Sequence, residues 1–255
     1  MRRLLTSLLL FGVGCSPYVH SAPGRTMPLE SPKALHVRET GVQVEGGGMV
    51  AADLGMPGFS VRVRHGIVKH LDGSAEFNFG SIRPDESFRF VGANPFVFSG
   101  RIGVKYAIID HIALTAGCSL GSWAGGAFVS PDMALILGYE NRYVVPFATI
   151  GGYTSHPFRT KLVRLENTDP SESFVGVPVL TWGWSTSFGL RIPVGGYDNP
   201  DSTPPSVLLG FGVRNATFNS GGNLANVSII EGRRKENYVW GSIGFEYVFS
   251  PKRGH

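Results

Sequence analysis

The feature that most constrains this chain is a strict two-residue alternation of apolar side chains with small or polar ones, repeated between residues 41 and 249. In residues 111–120, the even positions hold Ile, Leu, Ala, Cys and Leu, whereas the odd positions hold His, Ala, Thr, Gly and Ser. Successive side chains of a β-strand point to opposite faces. The pattern therefore predicts a sheet with one oily face and one polar face.

Composition narrows the ways in which such a sheet can be used. The 255 residues include 35 glycines, and only 16% are charged, against about 7% glycine and 25% charged residues in average domains. Beyond the first fifteen residues, no apolar run reaches the roughly 18 residues of a membrane-spanning helix. Two architectures remain: a soluble sandwich or barrel with the apolar face inward, and a membrane barrel with that face outward.

The make-up of the polar face favours the membrane barrel. It mixes glycine, serine, threonine and isolated charges, which suits a narrow lumen where glycine relieves crowding. The apolar face carries aromatic residues near the predicted strand ends, as expected for the girdles at the two membrane interfaces. The predicted girdle residues are Tyr139, Tyr143, Tyr247 and Phe249 at the inner rim, and Tyr153, Phe174, Phe218 and Tyr238 at the outer rim.

Ten segments combine this alternation with the length of a spanning strand, about 9–11 residues or somewhat more. The sequence thus predicts an all-β fold, an antiparallel transmembrane β-barrel of about ten strands (about 8 to 12 fit the pattern) with a polar lumen. Residues 174–193 are too long for one crossing, so the wall rises above the membrane there or a further turn is hidden. The predicted strands are 41–52, 58–66, 73–82, 97–108, 111–121, 128–139, 143–153, 174–193, 206–218 and 237–249.

The connections between these strands alternate in length. The long ones, residues 83–96, 154–173 and 219–236, all fall on one side, as expected for extracellular loops. An even number of strands also places both ends of the barrel on the opposite, periplasmic side. The long loops are therefore the candidate sites for a surface ligand.

The residues before the barrel read as targeting sequence. Residues 1–3 are a short basic start, and residues 4–13 form the apolar core of a signal peptide. The following Gly-Val-Gly-Cys, residues 12–15, resembles the lipobox of bacterial lipoproteins, and this resemblance implies cleavage after residue 14 and lipidation of Cys15. Cleavage by ordinary signal peptidase after Ala22 is the alternative.

Four domain assignments follow: a signal peptide (residues 1–14), a lipidated periplasmic tether (15–40), the barrel (41–249) and a C-terminal tail (250–255). The tether is predicted to be flexible because it is proline-rich and has little hydrophobic pattern. Loss of residues 1–14 removes two arginines, so the formal net charge falls from +4 to +2. With no cluster of basic residues besides, nucleic acid is not expected as a partner.

Further motifs resemble a known superfamily. Residues 64–72 and 105–111 each combine a basic strand, a tight turn containing aspartate and an alternating return strand. Residues 244–249, Gly-Phe-Glu-Tyr-Val-Phe, are similar to the terminal strand that the barrel-assembly machinery reads. On these features residues 41–249 resemble bacterial outer-membrane β-barrel proteins of porin-like type. The resemblance implies a bacterial outer-membrane location, surrounding lipid, and recognition by the assembly machinery through the strand ending at Phe249.

Extending the alternation to every strand places six cations and four anions in the lumen. A barrel of eight strands is already filled by side chains, so ten strands leave little room. Such charges are expected to form a crosslinked plug, because buried ionic groups need partners. A small pore with a mildly anion-favouring wall is the alternative. The predicted network is Glu45, Arg62, Arg64, Glu76, Arg101, Lys105, Asp132, Arg191, Arg214 and Glu246.

The sequence offers no catalytic constellation. Ser155 and His156 are adjacent, but neighbouring residues on a strand point to opposite faces. There is no HExxH and no paired-cysteine motif, so neither a metal nor a cofactor is expected. The expected role is a structural or small-pore outer-membrane lipoprotein. A surface barrel enzyme acting on lipid or peptide, and a lipocalin-like binder of an apolar ligand, are the alternatives.

Overall fold

The computed structural model describes residues 24–25, 29–51, 54–84, 88–91, 95–161, 163–167, 173–176, 178–194, 204–220 and 232–250. Secondary structure within these ranges is entirely β, and none of their residues forms a helix long and apolar enough to cross a membrane. The ten long strands are β1 (Thr40–Ala51), β2 (Leu54–Val68), β3 (Leu71–Ser81), β6 (Phe96–Ile109), β7 (Ile112–Trp123), β8 (Gly126–Gly138), β9 (Val145–Phe158), β12 (Thr181–Pro193), β13 (Ser206–Ser220) and β14 (Gly232–Phe249).

These ten strands form a closed antiparallel barrel. Each pairs with the next long strand along the chain, and β1 pairs with both β2 and β14. At the closing seam, Thr40 lies opposite Phe249 on one side and His65 on the other. Closure leaves no long strand with an unpaired edge. The predicted all-β, ten-stranded antiparallel barrel is confirmed.

The two ends of the barrel differ in their connections. At the end that holds Thr40 and Phe249, here called the inner end, the strands are joined by residues 69–70, 110–111, 139–144 and 194–205. At the opposite, outer end, they are joined by residues 52–53, 82–95, 124–125, 159–180 and 221–231. The two longest connections both lie at the outer end, on the side that the sequence predicted.

The predicted strand at residues 174–193 is two separate elements. The barrel strand β12 begins at Thr181, whereas β11 (Ser173–Gly176) belongs to a small sheet at the outer end with β10 (Val163–Asn167) and β5 (Phe88–Val91). A two-residue strand, β4 (Arg83–Pro84), pairs with the outer end of β2. Pro178 lies between β11 and β12, and proline cannot donate to a strand ladder. The excess length is therefore an outer structure and not an eleventh crossing.

The barrel has inverted polarity. Its outward face exposes large apolar side chains, with Ile102 72% exposed, Phe211 64% and Leu120 61%. Its inward face buries charged and hydroxyl side chains. A soluble barrel requires the reverse arrangement, whereas a barrel in lipid requires this one.

The outer aromatic girdle differs from the prediction. Tyr153, Phe218 and Tyr238 are buried, because each occupies an inward position of its strand; the side chain of Phe174 lies outside the described residues. The outward aromatics near the outer end are instead Phe59, Phe79, Phe96 and Phe98, whose neighbouring rings lie 5.1–6.4 Å apart, with Trp182 and Trp184 on β12. Near the inner end, the predicted residues Tyr139, Tyr143, Tyr247 and Phe249 are exposed.

The interior is filled by two kinds of material. Towards the outer end lies a layer of buried apolar side chains, here called the apolar layer: Met49, Met56, Ile82, Val97, Trp123, Phe128, Val163 and Trp240. The rest is polar and includes most of the charged side chains of the barrel strands. The apolar layer was not expected from the sequence, which predicted a polar lumen throughout.

Candidate functional site in the barrel lumen

The segment that precedes β1 runs inside the barrel. Leu29, Glu30 and Ser31 are buried. The carbonyl oxygen of Leu29 accepts hydrogen bonds from Gln43 Nε2 at 2.9 Å and from Arg62 Nη1 at 3.0 Å. Residues 24–25 and 29–39 are here called the lumen segment; they are buried or half-buried up to Leu35, whereas residues 36–38 are exposed.

This placement differs from the flexible periplasmic tether predicted for residues 15–40. The physical reason is that the segment supplies backbone groups and charges that the inward side chains need. A proline-rich segment can also adopt an extended conformation without internal hydrogen bonds. Its carbonyl groups are then free to accept hydrogen bonds from side chains of the barrel wall. Cys15 and the predicted signal peptide lie outside the described residues.

Backbone groups of the lumen segment pair with strand charges. The amide of Leu35 donates to both carboxylate oxygens of Asp72, at 3.0 and 3.2 Å. Lys105 Nζ donates to the carbonyl oxygens of Lys33, at 2.8 Å, and of Ser31, at 3.3 Å. The main chain of the segment therefore donates to an anion of the barrel wall and accepts from a cation of the wall.

Arg62 is the centre of a buried ion cluster. Its guanidinium lies 2.8 Å from Glu76, 3.2 Å from Glu45 and 3.6 Å from Glu30. Arg25 lies 3.1 Å from both Glu30 and Glu76. Two of these five residues, Arg25 and Glu30, come from the lumen segment. Wall and segment thus complete one network, as a fully buried set of charges requires.

A second cluster lies nearer the inner end. Arg64 contacts Glu246 and lies 3.5 Å from Asp72. Lys105 lies 3.4 Å from Asp72, and Arg191 lies 3.6 Å from Glu246. Lys105 also lies 3.6 Å from Glu30, so the lumen segment joins this cluster to the first.

Two predicted network residues form an isolated pair, and one stands alone. Arg101 holds Asp132 through two hydrogen bonds, at 2.8 and 2.7 Å. Arg214 has no ion pair within the described parts of the chain. Its nearest partners are the sulfur of Met49, at 3.7 Å from Nη1, and the ring of Tyr153, whose centroid is 5.1 Å from the guanidinium carbon.

The structure thus brings nine of the ten predicted network residues into ion pairs and leaves out Arg214. It adds three charged residues that the sequence reasoning missed, Arg25, Glu30 and Asp72. The sequence does indicate that anions are missing from the predicted network, because it places six cations but only four anions in the lumen. No signal located Arg25 and Glu30, because they lie outside the alternating strands.

Glu30 lies on the lumen segment and not on a spanning strand. Burial raises the pKa of this carboxyl, but the charges of Arg62, Lys105, Arg25 and Arg64 lower it more strongly. The net result is a pKa well below its ordinary value of 4.5. Glu30 is therefore a charged carboxylate held among cations.

A small cavity of about 30 Å³ lies next to Arg214. By the same measure a single water needs about 10–15 Å³, so the space holds about two. Small side chains on the surrounding strands leave this room. The lining includes Arg25, Asp132, Thr149, Tyr153, Ser185 and Arg214.

The residues considered for catalysis do not converge. Ser155 is buried inside the barrel, whereas its neighbour His156 is exposed and its Nε2 lies 3.1 Å from Thr154 Oγ1. His111 stacks on Tyr139 at the inner end, with ring centroids 5.8 Å apart. Within the described ranges, no group of three His, Cys, Asp or Glu side chains is arranged to hold a metal ion.

No family model and no curated protein matches this sequence. Among solved structures, the chain is similar to the outer membrane protease OmpT of Escherichia coli, with 11% identity and a TM-score of 0.40 over 84% of this chain and 94% of that one. It is similar to the outer membrane protein OprG of Pseudomonas aeruginosa, with 11% identity and a TM-score of 0.34 over 87% and 100%.

A third similar structure is a mutant of the ferric enterobactin receptor PfeA of Pseudomonas aeruginosa, with 9% identity and a TM-score of 0.32 over 86% of this chain. This chain spans 38% of the length of that receptor. The structural neighbours of the chain thus include bacterial outer-membrane β-barrel proteins.

Proposed function

We propose that this protein is a bacterial outer-membrane barrel whose lumen is closed by its own lumen segment, and whose role is structural and not catalytic. In this proposal the barrel holds the outer loops and the small outer sheet at the cell surface. The observation that carries it is the burial of Glu30 inside the barrel, 3.1 Å from Arg25 and 3.6 Å from both Arg62 and Lys105.

The membrane location is supported by the inverted polarity. Apolar side chains cover the outward face over the length of the strands, and an apolar surface of that extent is unfavourable in water. Surrounding lipid is the matching partner. The strand that ends at Phe249 is the proposed contact for the assembly machinery, and it forms the closing seam with β1.

The membrane placement is tested by extraction and by gel mobility. The protein is expected to need detergent for extraction and to migrate differently before and after boiling. Extraction without detergent, together with equal mobility in both states, would contradict the proposal. Metabolic lipid labelling that disappears in Cys15→Ser tests the proposed lipid anchor and leaves the barrel placement unaffected.

Closure of the lumen is supported by energetics. Opening a pore through the polar interior would separate Glu30 from the three cations that neutralise it, and a buried carboxylate without its ion-pair partners is costly. The apolar layer also lies across the outer part of the interior. We therefore expect no steady conductance in planar lipid bilayers under conditions where a general porin conducts. Stable conductance steps from the wild-type protein would instead support the small-pore alternative.

The position of the lumen segment is tested by thiol accessibility. Ser31 is buried, whereas Val37, on the same segment, is 48% exposed. In a Cys118→Ser background, Ser31→Cys is expected to resist a membrane-impermeant thiol reagent until the barrel is denatured. Val37→Cys is expected to react in the folded protein and is the matched control. Equal, rapid labelling at both positions would place the segment outside the lumen.

A further inference from the structure

Arg214 differs from the other lumen arginines in having no carboxylate partner. It is 4% exposed. On the neighbouring strands it lies opposite Ser185 and Tyr238, neither of which carries a carboxylate. By contrast, Arg62 and Arg64 each have at least two carboxylates within 4 Å. Within the described part of the chain, the positive charge of Arg214 is not neutralised by an ion pair.

Three residues that line the cavity carry a side-chain polar atom with no hydrogen-bond partner among the described residues: Nε of Arg25, Nε of Arg214 and the hydroxyl of Thr149. Nε of Arg25 lies 3.1 Å from Glu76 and so belongs to an ion pair, whereas Nε of Arg214 and the Thr149 hydroxyl have no polar partner within the described residues. The side chains of Arg214 and Thr149 are both more than nine-tenths buried. A buried guanidinium without a counter-charge is costly, because protein cannot replace the hydration that the charge has lost. This cost is relieved if a species that accepts hydrogen bonds occupies the cavity.

The other charges that line the cavity are already neutralised. Asp132 accepts two hydrogen bonds from Arg101, and Arg25 lies between Glu30 and Glu76. The charge of Asp132 is therefore balanced by Arg101 and is not available to neutralise Arg214. Arg25 already has two carboxylates beside it and needs no further anion. Among the charges that line this cavity, only that of Arg214 lacks a counter-charge within the described residues, so one negative charge would balance it.

We propose that this cavity is a binding site for a small monovalent anion of halide size, held by Arg214 and by the hydroxyl of Thr149. The volume of about 30 Å³ admits a single halide, with or without a water, and excludes larger organic anions. A water molecule can satisfy both donors but leaves the charge of Arg214 unmatched. The site is independent of whether the barrel conducts, so it does not rest on the proposed structural role.

Bromide is the probe for a direct test, because its anomalous scattering distinguishes it from water. Crystals of the full mature chain soaked in sodium bromide are expected to show an anomalous peak in the cavity between Arg214 and Thr149. The peak is expected to be absent in Arg214→Met. An empty or water-filled cavity in the soaked wild-type crystals would overturn the proposal.

Thermal unfolding in detergent gives a second test. At constant ionic strength, replacing gluconate by bromide is expected to raise the melting midpoint by about 3 to 5 °C for each tenfold increase above the dissociation constant. Gluconate is the inert partner because it is too large for the cavity. The dependence is expected to vanish in Arg214→Met and to weaken in Thr149→Val, which has nearly the same shape.

Arg191→Met is the matched control. Arg191 is an equally buried lumen arginine, but it lies 3.6 Å from Glu246. This variant is expected to melt at a lower temperature and to retain the full bromide dependence. If Arg214→Met does not fold, Thr149→Val alone decides. The same bromide dependence in Thr149→Val and in the wild type, or none in the wild type, would overturn the proposal.

Discussion

The polar and apolar parts of the barrel interior are stabilised in different ways. Arg62 is buried among three carboxylates, and its burial is favourable only while those partners are present. Met49 and Phe128 in the apolar layer are favourable because they fill volume away from water. The polar part therefore depends on a complete set of partners, whereas the apolar layer depends on packing.

The lumen segment contributes to both parts through two adjacent residues. Leu29 is buried in one continuous apolar cluster with the residues of the apolar layer, and the next residue, Glu30, belongs to the ion cluster around Arg62. The polar part therefore needs the segment for its charge, and the apolar part needs it for the volume that Leu29 fills. Substitutions in each part separate these two dependences.

The largest effect is expected for Arg62→Met. The variant leaves Glu45 and Glu76 buried without their nearest cation, so the free energy of unfolding is expected to fall by about 4 kcal/mol. Urea unfolding in detergent or lipid vesicles, followed by tryptophan fluorescence, measures the change. Arg142→Met is the control, because Arg142 is exposed and its loss is expected to change stability by less than about 0.5 kcal/mol. Equal stability of the two variants would contradict a stabilising ion cluster.

A smaller loss is expected for Met49→Ala in the apolar layer. Met49 is 2% exposed, and its truncation is expected to lower the free energy of unfolding by about 3 kcal/mol through lost burial and a cavity. The volume-conserving Met49→Leu is expected to cost less than about 1.5 kcal/mol in the same urea experiment. A large loss in Met49→Leu would mean that packing alone does not account for this layer.

The polar part is also expected to respond to pH through Glu30. Because the folded-state pKa of Glu30 lies below its ordinary value of 4.5, its contribution is present above that pH and is lost as the pH falls through the folded value. At pH 7, Glu30→Gln is expected to be less stable than the wild type by about 2 kcal/mol. The difference is expected to shrink as the pH is lowered below 4.5. A difference that is constant with pH would show that the charge of Glu30 is not what stabilises the segment.

The sequence predicts the barrel wall well because every strand obeys the same period of two. That period assigns the inward face of Arg62, Glu76 and Glu246 without any knowledge of their partners. It carries no information about the lumen segment, whose role depends on hydrogen bonds between its main chain and side chains far along the sequence. The separate strand β11 was missed for a related reason, since its pairing with β10 lies outside the barrel ladder.

The girdle residues show a second limit of the same kind. Position along the strands predicts an outer rim that includes Tyr153 and Tyr238, but the alternation places both side chains on the inward face. Parity, and not closeness to a strand end, decides which face a side chain occupies. Likewise, parity places Arg214 in the lumen but cannot show that it lacks an anion, because that requires the three-dimensional positions of all the carboxylates.

The smallest effect is expected for two neighbouring glycines on β1, one on the inward face of the barrel wall and one on the outward face. A Cβ added to Gly47, on the inward face, would lie 2.2 Å from the carbonyl oxygen of Gly241, whereas one added to Gly46, on the outward face, has nothing within 4 Å. Gly47→Ala is therefore expected to lower the free energy of unfolding by about 1 to 2 kcal/mol. Gly46→Ala is expected to leave it unchanged or raise it by up to about 1 kcal/mol, because alanine restricts the unfolded chain. Urea unfolding of both variants under identical conditions measures the difference in the free energy of unfolding. Equal free energies of unfolding would mean that the barrel wall shifts to make room for the added methyl group. The inward glycines would then not limit how closely the strands and the buried side chains pack.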